Sequence, residues 1–120
     1  MQATKIIRVL VIEDEAIVGM MIEDFLGDFG YSVVGPIENL QAAILLAATE
    51  QIDVAVVDIN ISGHVATAVA DKLIEREIPF LFISGYEKMR GDRYAAIPLL
   101  RKPFEPEDLH DAVERVLRRG

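Results

Sequence analysis

Four places in the chain carry groups able to do chemistry together: Glu13-Asp14, Asp58 with Asn60 two residues on, Ser84, and Lys102-Pro103. Each acid alone has an ordinary explanation, because Asp and Glu are common where a strand turns into a helix and their oxygens satisfy free backbone N–H groups. Three carboxylates meeting at one point are different, since mutual repulsion raises their pKa values or splays them apart unless a cation is present. The donors are hard oxygens with no His or Cys among them, which selects Mg²⁺ or Mn²⁺ over zinc, with Asp14 and Asp58 as direct ligands. Lys102 adds a mobile ammonium and Ser84 a hydroxyl that can donate, and the two suit a tetrahedral oxyanion attached to one carboxylate. Phosphoryl transfer needs charge neutralisation and in-line positioning more than covalent help. Asp58, which the other groups can surround, is the candidate nucleophile.

For these groups to meet, the intervening chain must bring them to one edge. Ile6 to Ile12 is a near-continuous apolar run, as expected of a parallel strand covered on both faces, and Ala16 to Phe29 reads as a helix stopped at Gly30. Tyr31 to Gly35 reads as a second strand, Asn39 as the cap of a helix to about Glu50, and Val54 to Asp58 as a third strand ending on an acid. A loop with Asn60, Ser62 and Gly63 leads to a helix from about Val65 to Arg76, whose Ala66, Val69, Ala70, Leu73 and Ile74 share one face. Phe80 to Ser84 is a fourth strand and Leu99-Leu100 a brief fifth. The stretch from Gly85 to Ile97, interrupted by Gly91 and charges, predicts a short or irregular fourth helix. The last helix opens at Glu105-Pro106 and carries the stripe Leu109, Ala112, Val113, Val116 and Leu117. The pattern is (βα)₅: a doubly wound, flavodoxin-like three-layer sandwich with parallel sheet order 2-1-3-4-5. Ligands in such sheets sit outside the carboxyl ends of the strands, where all four chemical stretches fall.

Bulk properties narrow the classes. By their length the 120 residues are expected to form one compact domain, 1–120, without a second folded unit. A formal net charge of −8 without a basic stripe argues against direct DNA binding, and no apolar run approaches the length of a membrane span. The absence of cysteine excludes disulfides and thiolate chemistry, and the start lacks a signal peptide, so a cytoplasmic location is expected.

Glu13-Asp14, the run Val57 to Gly63, Ser84-Gly85 and Lys102-Pro103-Phe104, in this order, resemble the response-regulator receiver (CheY-like) family over essentially the whole chain. The resemblance implies a phosphorylated Asp58 and a Mg²⁺ held by Glu13, through water, by Asp14 and Asp58, and by the backbone carbonyl of Asn60. It implies that Ser84 and Lys102 contact the phosphoryl group and that the Lys102-Pro103 bond is cis. It implies a donor that is a sensor histidine kinase or histidine phosphotransfer protein, a downstream protein target, and no turnover beyond the chain's own phosphorylation and dephosphorylation.

One departure bears on signalling. Receivers of the common type carry an aromatic residue three places before the Lys-Pro, where this chain has Leu99. The segment from Pro79 to Tyr86 is similar to the FATGUY subgroup of stand-alone receivers, with Ile83, Ser84 and the place of Tyr86 as differences. Tyr86 is then either a substitute switch or a ring that anchors its loop. His64 and His110 read as ordinary surface positions, and Glu15 as an acid favourable to the helix dipole and left out of the site. The first helix is apolar around much of its circumference, from Ile17 to Leu26, which suits a docking partner helix or extra core burial alike. Two other functions use the same residues: a haloacid-dehalogenase-like phosphatase, whose nucleophile normally ends the first strand rather than the third, and a pseudo-receiver that only binds partners.

Overall fold

In the computed structural model, which describes residues 5–85, 89 and 91–119, five parallel strands form one sheet. They are β1 (Arg8–Ile12), β2 (Ser32–Ile37), β3 (Val54–Asp58), β6 (Phe80–Ser84) and β7 (Leu99–Arg101), in the order β2-β1-β3-β6-β7. That is the expected 2-1-3-4-5 winding. Helix α1 (Ala16–Asp28) and α4 (Pro106–Arg119) pack together on one face, and α2 (Leu40–Thr49) and α3 (Thr67–Glu75) on the other.

Alternate residues of each strand enter opposite cores. Val9, Val11, Val54, Val56, Leu81 and Ile83 meet Ile22 and Leu26 of α1 and Leu109 and Val113 of α4. Leu10, Ile12, Ala55, Val57, Phe80 and Phe82 meet α2 and α3. A strand buried on both faces has no polar alternation, which is why these segments read as unbroken apolar runs.

Between β3 and α3 the chain forms a small antiparallel hairpin, β4 (Asn60–Ile61) and β5 (His64–Val65), in place of the expected plain loop. Its two central residues, Ser62 (φ 51°) and Gly63 (φ 83°), are both left-handed, as a type I′ turn requires. In the region expected as a short or irregular fourth helix, the described residues form a 3₁₀ turn at Asp92–Tyr94. Tyr94 sets its ring edge-on to Phe82 at 6.2 Å and donates its hydroxyl to Asp71 of α3 at 2.7 Å.

The second strand runs two residues further than its composition predicts. Val34 pairs with Leu10 and Ile37 with Ile12, so Gly35 and Pro36 together face the single Val11 in a bulge. Gly35 takes φ 111°, and a Cβ there would lie 2.6 Å from the Val11 carbonyl oxygen. The bulge brings Pro36 against α1, where a Cβ on Gly19 would stand 3.0 Å from the proline Cβ.

At the other end of the sheet Asp53 ties β3 to β1. It accepts the Arg8 backbone N–H and the Lys5 ammonium, each at 2.8 Å. Burial alone would raise its pKa, but the Arg8 hydrogen bond and the Lys5 contact outweigh it and hold the carboxyl below its ordinary 3.8. A depressed folded-state pKa means the stabilisation is present above the unfolded value and is lost as the pH falls through the folded one. Asp53→Asn is therefore expected to cost about 1–2 kcal/mol at neutral pH. In urea melts the difference from wild type should close as the pH is taken below 3.8.

Candidate functional site

The carboxyl ends of β1, β3, β6 and β7 deliver Glu13, Asp14, Asp58, Ser84 and Lys102 to one edge of the sheet. Glu13 and Asp14 follow β1 directly, and Asp58 closes β3. Ser84 closes β6, and its carbonyl accepts the Lys102 backbone N–H at 2.8 Å. The Lys102-Pro103 bond is cis, as the resemblance implied. The bulge in β2 contributes too, because it presents the Ile37 carbonyl to the backbone N–H of Glu13 at 2.9 Å and so fixes where the acidic pair begins.

One carboxylate oxygen from each of Glu13, Asp14 and Asp58 lies within 4.8 Å of the others. Each acid also accepts a backbone N–H, so the turn-forming role and the convergent one coexist. Glu13 Oε2 takes that of Glu15 (3.1 Å), Asp58 Oδ1 that of Asn60 (3.1 Å) and Asp14 Oδ2 that of Ser62 (2.7 Å). The Ser62 contact ties the β4–β5 hairpin tip to the acidic pair, and Asn60 Oδ1 closes the tip by accepting from the Gly63 N–H at 3.0 Å.

Lys102 Nζ stands 2.7 Å from Glu13 Oε1, 3.2 Å from Asp58 Oδ2 and 3.3 Å from Glu15 Oε1. The Glu13 contact is an ion pair without hydrogen-bond alignment, leaving that buried oxygen with no well-directed donor. Burial pushes the Glu13 carboxyl up to about 7, with the neighbouring Asp58 adding to the rise and Lys102 opposing it. Burial would lower the Lys102 pKa, but the Glu13 and Asp58 carboxylates reverse that and hold the ammonium firmly charged. One ammonium thus serves several acids, an arrangement short of positive charge and able to hold a hard cation.

Three expectations need adjustment. Glu15, set aside as a helix-dipole acid, reaches Lys102. His110 is not a plain surface residue: its ring stacks on Phe29 (4.1 Å between centroids, 8° between planes), with Nε2 3.1 Å from Glu114. On the first helix Ile22 and Leu26 enter the core while Ile17 and Met20 stay exposed, so extra core burial does not account for the last two. Tyr86 lies outside the described residues; Leu99 pairs with Phe82 and packs with Tyr94 at the same core. A cavity of about 300 Å³ lined by Ile74, Ile78, Pro79, Phe80, Ile97 and Val116 opens at the opposite end of the sheet, where it has no part in this chemistry.

With fold and site in hand, comparison with known proteins gives the class. The description of the response regulator receiver domain matches residues 9–114, and the chain belongs to that family. The solution structure of SdrG from Sphingomonas melonis Fr1 superposes with a TM-score of 0.83 at 32% identity, covering 96% of this chain and 99% of that one. The BeF₃-activated conformation of SdrG gives 0.76 at 33% identity, covering 92% and 95%. The transcriptional regulatory protein PdtaR of Mycobacterium tuberculosis is 28% identical over 117 residues, 93% of this chain and 57% of PdtaR. The chain spans about half the length of the curated relatives it matches. Among the described residues no helix is long and apolar enough to cross a membrane.

Proposed function

We propose that Asp58 accepts a phosphoryl group from the phosphohistidine of a sensor histidine kinase or a histidine phosphotransfer protein, in a Mg²⁺-dependent reaction. The signal then passes to a downstream protein through a change of shape or onward phosphotransfer. The observation that carries this reading is Lys102 Nζ 3.2 Å from Asp58 Oδ2, beside three carboxylates whose oxygens converge within 4.8 Å.

In this reading an Asp58 oxygen forms the O–P bond while the P–N bond of the donor breaks, its electron pair staying on the imidazole nitrogen. The Asn60 N–H, 3.1 Å from Asp58 Oδ1, orients the carboxylate before the donor arrives. Lys102 neutralises and holds the transferred oxygens, and the buried Ser84 hydroxyl, at the end of β6, donates to one of them. Glu13, Asp14 and Asp58 with the Asn60 backbone carbonyl would hold Mg²⁺, an all-oxygen set that suits a hard cation. The buried Glu13 oxygen that lacks a hydrogen-bond donor favours the same assignment. When bound, the ion supplies charge neutralisation at the phosphoryl oxygens.

The test is intact mass after incubation with acetyl phosphate and Mg²⁺, with and without chelator. A phosphate adduct that the chelator prevents is the expected result. Absence of an adduct from acetyl phosphate and from a panel of histidine kinases would leave a binding module, and turnover of a generic phosphomonoester would restore the phosphatase alternative.

A further inference from the structure

The residue that opens α1 has a side chain without a local use. Glu15 sits at the N-cap with extended backbone (φ −84°, ψ 111°), where a short polar side chain would accept a first-turn N–H, and its carboxylate makes no such bond. Its main chain is held on both sides, the N–H by Glu13 Oε2 at 3.1 Å and the carbonyl by the Gly19 N–H at 2.9 Å. The carboxylate instead crosses to Lys102, 87 positions away in sequence, at 3.3 Å.

A lysine ammonium has three N–H donors, and three carboxylates surround this one. They differ in what they lose by letting go. The side chains of Glu13 and Asp58 are 0% and 6% exposed, whereas that of Glu15 is 65% exposed. Water can replace the lysine at Glu15 but not at the buried pair. When a phosphoryl oxygen comes to Lys102, Glu15 is therefore the partner that yields.

Building on the reading of Asp58 as phosphoacceptor, we infer that Glu15 is an intramolecular competitor of the phosphoryl group: its carboxylate occupies one N–H donor of Lys102 in the unmodified protein and must leave as the phosphoryl oxygens arrive. It stands outside the trio of convergent acids, so it acts on the lysine and not as a metal ligand. Glu15 is a positioning residue that weakens phosphoryl retention in two ways. It satisfies Lys102 beforehand, and afterwards it leaves a negative charge beside a group of the same sign.

The test has one arm that does not depend on the phosphoacceptor reading. In metal-free protein, Glu15→Gln should shift the Lys102 Nζ resonance in ¹⁵N NMR of labelled lysines, and an unmoved resonance would show that the pair does not form and overturn the proposal. In the second arm, beryllofluoride with saturating Mg²⁺ is titrated into wild type and Glu15→Gln and followed by amide chemical shifts. The variant is expected to bind about fivefold more tightly, the scale of one exposed charge at contact distance, with the gain shrinking at high salt. In a Lys102→Ala background the gain should fall to the part that like-charge repulsion alone supplies, clearly below the gain with the lysine in place. Equal affinity for wild type and Glu15→Gln, or an undiminished gain in the Lys102→Ala background, would count against Glu15 acting through the lysine. If wild type shifts its Lys102 resonance on substitution but takes up no beryllofluoride, the assignment of Asp58 has failed and the competition with it.

Discussion

Asp58→Asn is expected to abolish the Mg²⁺-dependent phosphate adduct while leaving the fold in place. The amide lacks the anionic oxygen that attacks phosphorus, and it removes one of the charges that would hold the cation. The loss should be on the order of 10³-fold or more in the rate of adduct formation, the scale on which removal of a nucleophile is felt. Asparagine keeps the shape of the side chain and one acceptor for the Asn60 N–H, so the turn after β3 is preserved. Rates from intact mass, read alongside circular dichroism, separate a chemical loss from a structural one. An adduct that persists in the variant would place the acceptor elsewhere, with Glu13 and Asp14 the first to check by peptide mapping.

The largest effect on stability is expected at Gly35→Ala, in the β2 bulge rather than among the groups that react. Its φ of 111° belongs to a region that residues with a Cβ rarely enter, and the added carbon would lie 2.6 Å from the Val11 carbonyl oxygen and 2.8 Å from the Ile37 nitrogen. Backbone strain of about 1–3 kcal/mol and overpacking of a similar size combine to about 2–6 kcal/mol. That is a large part of the roughly 5–15 kcal/mol that a domain of this size has in hand. Thermal melts should show a fall of about 8–24 °C at about 4 °C per kcal/mol. Gly27→Ala supplies the control, since that glycine is helical with nothing within 4 Å of the added carbon, and it should gain about 0.5–1 kcal/mol. Equal behaviour of the two variants would mean that the bulge relaxes freely and does not define the end of β2.

The chemical edge of the sheet was legible because central parallel strands are unbroken apolar runs, and the polar residue that ends each run stands out against them. Asp58 after Val54–Val57 and Ser84 after Phe80–Ile83 are the clearest cases. The start of α2 followed from its cap, since Asn39 accepts the Ala42 N–H at 2.9 Å. The end of β2 was misplaced because Gly35-Pro36 carries the composition of a turn, and only pairing with Val11 on another strand makes it a bulge. The β4–β5 hairpin did leave a signal, Ser62-Gly63 with β-branched Ile61 before it and Val65 shortly after, yet two-residue strands fall below the length at which alternation can be read. The contacts of Glu15 with Lys102 and of His110 with Phe29 left none, since each depends on how two distant elements pack.

The bulge has one more effect, on how the molecule meets copies of itself. β2 is an edge strand, and a regular six-residue edge would offer a row of open donors and acceptors on which another chain could add a strand. Pro36 has no N–H to give, and two residues against one break the spacing that an incoming strand must match. The continuous run is reduced to Ser32–Val34, too short to template a β-ribbon. A detail that fixes the start of the acidic pair thus also guards this flank of the sheet against aggregation.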